Sequence, residues 1–468
     1  MKHLVWKLLV TMTLLSLVGC GPATVSVERE ASPTIEPEAS PTAERETSPT
    51  VEREASPTVE REVLPAADVA RSDVEREALP AVPDADMAAL AAGNSAFAFD
   101  LYQVLRQGGS DNLLYSPYSI SIALAMTYAG ARGETERQMA DTMHFADLEQ
   151  QDLHPAFNRL DQVLATRGQG AAGKEEGEGF RLHIANAIWG QQGYAFLQEF
   201  LDTLARNYGA GLRLVDYVQA AEKARVTIND WIAGQTEDRI KDLIPPGAID
   251  SMTRLVLTNA IYFNAAWQFP FDEARTADGP FTRIDGNQVQ VPMMQATESF
   301  GYAAGEGYQA VDLLYDGGEL SMVVLLPAEG AFDAFQAALD AGQVSGILRQ
   351  LSRQEVALTM PRFEFESEFQ LASVLQGMGM VEAFRSSADF SGMTGTRELF
   401  ISDVIHKAFV AVDESGTEAA AATAVIMKLS AMPAEPVKVT VDRPFIFLIR
   451  DIETGTILFV GRVMDPSG

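Results

Sequence analysis

The residues that usually carry catalysis are few and badly spaced in this chain. Its five histidines are His3, His144, His154, His183 and His406. No two of the last four stand at metal-ligand spacing, and no G-x-S-x-G elbow is present. Residues 168–174, GQGAAGK, come near a phosphate-cradling loop. Glu175, however, stands where a hydroxyl is needed and would repel phosphate. The single cysteine, Cys20, permits no intrachain disulfide. A net charge of −30 speaks against nucleic acid and anionic membrane surfaces as partners. No cofactor and no metal are expected.

The chemistry left to the chain is concentrated in one stretch, residues 413–433, DESGTEAAAATAVIMKLSAMP. Strongly β-prone runs flank it at 399–412 and 437–450. Taken as an extended strand, its side chains alternate between faces. Thr417, Ala419, Ala421, Thr423 and Val425 fall on one face, all small or β-branched. Glu418, Ala420 and Ala422 fall on the other. Such a segment could slide between two strands of a packed sheet, because nothing on its inner face is large or charged. Gly416 would supply backbone freedom at the pivot. The competing reading is an alanine-rich surface helix, which propensity favours.

Stepwise changes of composition divide the chain. Residues 1–19 hold a short basic region and an apolar run too short to span a bilayer, as in an export signal. Leu17-Val18-Gly19-Cys20 resembles a bacterial lipobox, which implies cleavage before Cys20 and its acylation. Several acyl chains there would anchor the product to a membrane. From 20 to 82 an eight-residue unit recurs, VEREASPT at 27–34 and 51–58, with variants IEPEASPT, AERETSPT, VEREVLPA and VEREALPA. Each unit carries proline, acids and little to bury, so the segment is expected to be an extended, disordered stalk. A globular domain is expected over 84–468.

Within it, the apolar spacing of ALAAGNSAFAFDLYQVLRQ (89–107) predicts a helix, and SISIALAMTYAGA (119–131) a second. LSMVVLLPAEG (320–330) predicts a buried strand. LVLTNAIYFNAAW alternates poorly, as expected of a strand covered on both faces. Residues 165–179 read as an inserted surface loop. The class is α+β, with helices mostly in the first half.

NLLYSPYSISIALAMTYAGARGETERQM, TINDWIAGQTEDRIKDLIPPGAID, LVLTNAIYFNAAWQFPFD, LTMPRFEFESEFQ, RPFIF and LFVGRVMDP together, in this order, resemble the serpins. The resemblance implies about nine helices packed on three β-sheets, and an exposed reactive loop at 413–433 that inserts into the central sheet. It places Glu414, Gly416, Thr417, Glu418 and Ala419 to Thr423 at the hinge. It puts Ser116, Ser119, Asn259 and His406, with Trp267, at the opening of that sheet. A Ser–His pair invites a hydrolase reading, but no acid is set to orient the histidine. The resemblance implies instead a suicide inhibitor of serine, and also of papain-type cysteine, proteases. Counting on from Glu414 puts the cut at Ser430–Ala431; counting back from Pro444 puts it at Pro433, and the hinge count is preferred. Ser430 suits an elastase-like or subtilisin-like target, Leu429 a chymotrypsin-like one and Lys428 a trypsin-like one. A monomer is expected. The alternative is a non-inhibitory binding module on the same fold.

Overall fold

The helix Pro117–Tyr128 is apolar all round, and a helix without a polar face has to lie inside. In the computed structural model, which describes residues 67–109, 111–168, 181–417 and 435–467, every residue of this helix is buried. Ser116 starts it by accepting the Ser119 backbone N–H, and Pro117 occupies the first turn, where its missing donor costs nothing. One face of the central sheet covers it. On the other face lies the helix Tyr217–Gln235, which closes a second core around Trp189, Ile228 and Ile232.

The central sheet has seven strands. Their order is Asp68–Ala70, Leu212–Val215, Arg181–Gln191, Leu255–Ala266, Gly416–Thr417, Ile401–Val412 and Phe363–Gln370. Leu255–Ala266 is covered on both faces and nearly all of it is buried, which is why its alternation reads so poorly. It runs antiparallel to Arg181–Gln191 and parallel to Ile401–Val412.

The second sheet has nine strands. Its long strand Gln288–Gly305 pairs successively with Ala277–Thr282, Ser352–Pro361 and Tyr308–Leu314. What reads from the sequence as two further sheets is thus hydrogen-bonded into one along a single strand. Ten α-helices and three short 3-10 helices complete the described residues, so the α+β class stands.

Two boundaries differ from the sequence reading. Residues 67–82, read as the end of the stalk, belong to the folded domain. The repeat is interrupted at 67–73 by ADVARSD, and this interruption supplies a strand, Asp68–Ala70, that pairs antiparallel with Leu212–Val215. Beyond it Arg76 bonds Asp161 at 2.7 Å and Asn158 at 2.8 Å, and Asn158 returns a bond to the Glu77 carbonyl. Side chains read as solvated stalk are therefore spent on fixed partners. The start of the inserted loop is likewise tied down: Arg167 grips the fully buried Asp451 with two bonds, at 2.7 and 3.2 Å. Cys20, residues 1–66, residues 418–434 and the rest of the insertion to 180 lie outside the described residues. Glu418, Ala419, Ala420, Ala421, Ala422, Thr423, Lys428, Leu429, Ser430 and Ala431 are among them.

Candidate functional site

The central sheet parts at one end. Ile401 to Phe409 pair directly with Leu255 to Tyr262. Above that point the two strands diverge and Gly416–Thr417 stands between them. Thr417 pairs with Val412 on one side and Ala265 on the other, and Gly416 with Ala266. The base of the loop is thus already built into the ladder for two residues, antiparallel to both neighbours.

Side chains hold this wedge from above. Trp267 donates its indole N–H to the Asp413 carbonyl at 2.9 Å and its backbone N–H to the Ser415 carbonyl at 2.9 Å. Its ring stacks on Tyr315 at 4.6 Å, and the Tyr315 hydroxyl meets Thr417 Oγ1 at 2.8 Å. Glu414 is buried, takes the Thr276 hydroxyl at 2.6 Å and pairs with Arg362 at 2.8 Å. Thr417 has no exposed surface. The role of Gly416 is space rather than a special φ: a Cβ there would come within 2.1 Å of the Ala265 carbonyl oxygen. Tyr315, Thr276 and Arg362 escaped the sequence reading, since each comes from a distant segment with no local signal.

Lower in the sheet, below the wedge, a polar row crosses three strands. The register places Asn186 beside Asn259 and Asn259 beside His406. His406 Nδ1 lies 2.5 Å from Asn259 Oδ1, and His406 Nε2 takes the Ser116 backbone N–H at 3.2 Å. This fixes the neutral tautomer with the proton on Nδ1. Asn259 gives its amide protons to Ser119 Oγ at 2.6 Å and Asn186 Oδ1 at 2.5 Å. Burial lowers the His406 pKa from 6.5 to about 3, against a smaller opposing effect of Asn259.

The row therefore brings together Ser116, Ser119, Asn259 and His406, with Trp267 above them. It adds Asn186, whose only sequence signal is a polar residue set among apolar neighbours. It is not arranged as a nucleophile and base: Ser116 Oγ caps its helix, and His406 meets the Ser116 backbone rather than the hydroxyl. Buried polar groups that satisfy one another can be exchanged in a single step for another satisfied set, which an apolar seam does not require.

The family model for "Serpin (serine protease inhibitor)" matches residues 92–466. The chain belongs to the serpin family. The leukocyte elastase inhibitor A of Rattus norvegicus is 40% identical over 391 residues, 81% of this chain and 100% of that protein. An uncharacterized serpin-like protein of Thermococcus kodakarensis is 40% identical over 375 residues, covering 80% of this chain and 85% of its own. Among solved structures, the native thermophilic serpin tengpin matches with a TM-score of 0.74 and 27% identity, over 85% of this chain and 100% of its own. Uncleaved ovalbumin matches with a TM-score of 0.72 and 27% identity, over 81% of this chain and 100% of its own. The serpin fold that the resemblance implied is the fold observed, and a leukocyte elastase inhibitor is among the relatives.

Proposed function

We propose that this serpin is a suicide inhibitor of serine proteases, held on the outside of a cell envelope through an acylated Cys20. A target protease cleaves the loop and is held as an acyl-enzyme. The freed amino-terminal part of the loop then enters the central sheet as an added strand, carrying the protease with it. The observation that carries this reading is the wedge: Gly416–Thr417 is already paired on both sides, with Thr417 fully buried. The small residues that follow continue the pattern such insertion needs.

The cut is assigned to Ser430–Ala431, with Leu429 and Lys428 as the alternatives. An elastase-like target agrees with small residues there and with the elastase inhibitors among the relatives. The signal-like residues 1–19 and the lipobox support export and anchoring, and the acidic repeats support a spacer between membrane and domain.

The test mixes the mature protein with elastase, chymotrypsin, trypsin and subtilisin. A covalent complex should survive denaturing electrophoresis, and the new amino terminus should begin at Ala431. Ala421→Arg, at a position on the small-residue face of the loop sequence, would have to bury an unpaired guanidinium for insertion, at a cost on the order of several kcal/mol. That variant should fold and be cut, but no longer trap. Trapping at the parent level would refute the insertion reading. Cleavage of the parent without any covalent complex would favour the non-inhibitory binding module.

A further inference from the structure

A cavity of about 770 Å³ lies at the opposite edge of the central sheet from the reactive loop's flanking strand Phe363–Gln370. Among the described residues the strand Arg181–Gln191 is paired on its outer side only at Trp189 to Gln191, and Ile184 and Asn186 to Ile188 line the cavity beside it. The folded-back segment that begins at Ala67 walls it from outside.

Its charge is unusual for so acidic a protein. Among the described residues Arg71, Arg76 and Arg213 line it, and no aspartate or glutamate does. Arg76 is already neutralised by Asp161. Arg213 is not: among the described residues it has no carboxylate partner and donates no hydrogen bond, and the same holds for Arg71. Arg213 is half-buried, with its guanidinium carbon over the Trp231 ring, 4.2 Å from the centroid, and 5.5 Å from that of Trp189. Stacking of this kind fixes the guanidinium plane while leaving its edge donors free. Burial lowers its pKa and the like charge of Arg71 lowers it further. Val69 of the outer strand pairs with Arg213 in register, which keeps the Arg71 segment against it. The rest of the lining is mostly apolar, including Ile184, Ile188 and Met126.

We propose that this cavity binds a small organic anion, a carboxylate, sulfate or phosphate group on an apolar body, with Arg213 and Arg71 clamping the charged group. The volume falls in the ordinary range for small-molecule sites, roughly 300–1,000 Å³. An oriented, desolvated guanidinium is the donor best matched to a planar or tetrahedral oxyanion. The apolar wall accounts for a body attached to it. The site does not depend on the loop's behaviour, so it stands or falls apart from the inhibitory reading.

The probe is the aryl sulfonate 8-anilinonaphthalene-1-sulfonate, titrated into the native protein while fluorescence and energy transfer from tryptophan are read. One saturable site is expected, with transfer from Trp231. Arg213→Gln should weaken it at least tenfold and the exposed Arg71→Gln several-fold, whereas Arg349→Gln, remote from the cavity, should leave it unchanged. Inorganic sulfate should compete, and the uncharged N-phenyl-1-naphthylamine should bind far more weakly. Because Arg213 packs on two tryptophans, Arg71→Gln is the control that leaves the packing intact. Wild-type affinity in both arginine variants, or equal binding of the uncharged analogue, would overturn the proposal.

Discussion

The upper and lower parts of the same sheet gap are closed by different means. Above, the strands Leu255–Ala266 and Ile401–Val412 are held apart by two inserted residues whose bonds are largely backbone ladder bonds. Below, the strands touch, and a row of side chains, the half-buried Asn186 and the buried Asn259 and His406, ties them to the helix beneath. The ladder bonds of the upper arrangement ask only that each paired residue be small enough, whereas Thr417 and Glu414 add side-chain bonds to Tyr315, Thr276 and Arg362. The lower one depends on particular donors and acceptors, so it resists opening until a full exchange of partners is possible. Under the proposed mechanism the sheet would be entered from the top and latched in the middle.

The largest test extends the upper pattern through the lower. Cleaving the loop should let the whole segment join the sheet and raise the melting temperature by about 10–20 °C, measured by differential scanning calorimetry. An unchanged melting temperature would mean that the latch does not yield and the wedge is static.

A second test is of the wedge itself. Gly416→Val places side-chain atoms against the Ala265 carbonyl, where even a Cβ comes within 2.1 Å. It should destabilise the uncleaved protein by about 1–3 kcal/mol in urea denaturation and expose residues near 416 to limited proteolysis. Both should be absent if the upper strands are held apart by something other than the hinge.

The latch should reveal itself through pH. Burial holds His406 neutral, its pKa lowered to about 3, and His154 likewise, lowered to about 4. In the unfolded chain both would titrate near 6.5. As pH falls below 6.5 the unfolded state takes up protons that the folded state refuses, so stability declines until the folded-state pKa is reached. Each histidine should contribute about 1.4 kcal/mol per pH unit in that window and nothing above it. Denaturation midpoints from pH 4 to 7 measure the slope, and His154→Phe isolates the share belonging to the latch. A slope that vanishes in His154→Phe would place the pH sensitivity away from the gap.

The smallest effect belongs to the upper cap. Trp267→Phe keeps an aromatic ring against Tyr315 but loses the indole bond to Asp413. It should cost about 1 kcal/mol, read in urea.

Much of this was written locally. The all-apolar helix over Pro117–Tyr128 and the doubly covered strand over Leu255–Ala266 declare themselves because burial constrains residue type wherever a segment has no polar face. The motifs carried the family for the same reason. Asn186, Tyr315, Thr276 and Arg362 did not declare themselves, because a polar residue's partner is chosen by strand register and by elements remote in the chain. Residues 67–82 misled for a related cause: proline and acids look like stalk until Arg76 meets Asp161 across the fold.

The sequence by itself determined which stretches must be buried and which stretch could enter a sheet. Only the tertiary structure decided that Gly416 and Thr417 stand between two strands, which groups latch the gap, and that the last repeat-like unit belongs to the folded domain. Residue type sets what a segment can tolerate. The packing of strands from opposite ends of the chain sets which neighbour it meets, and an arginine stacked on Trp231 without a counter-charge is legible only there.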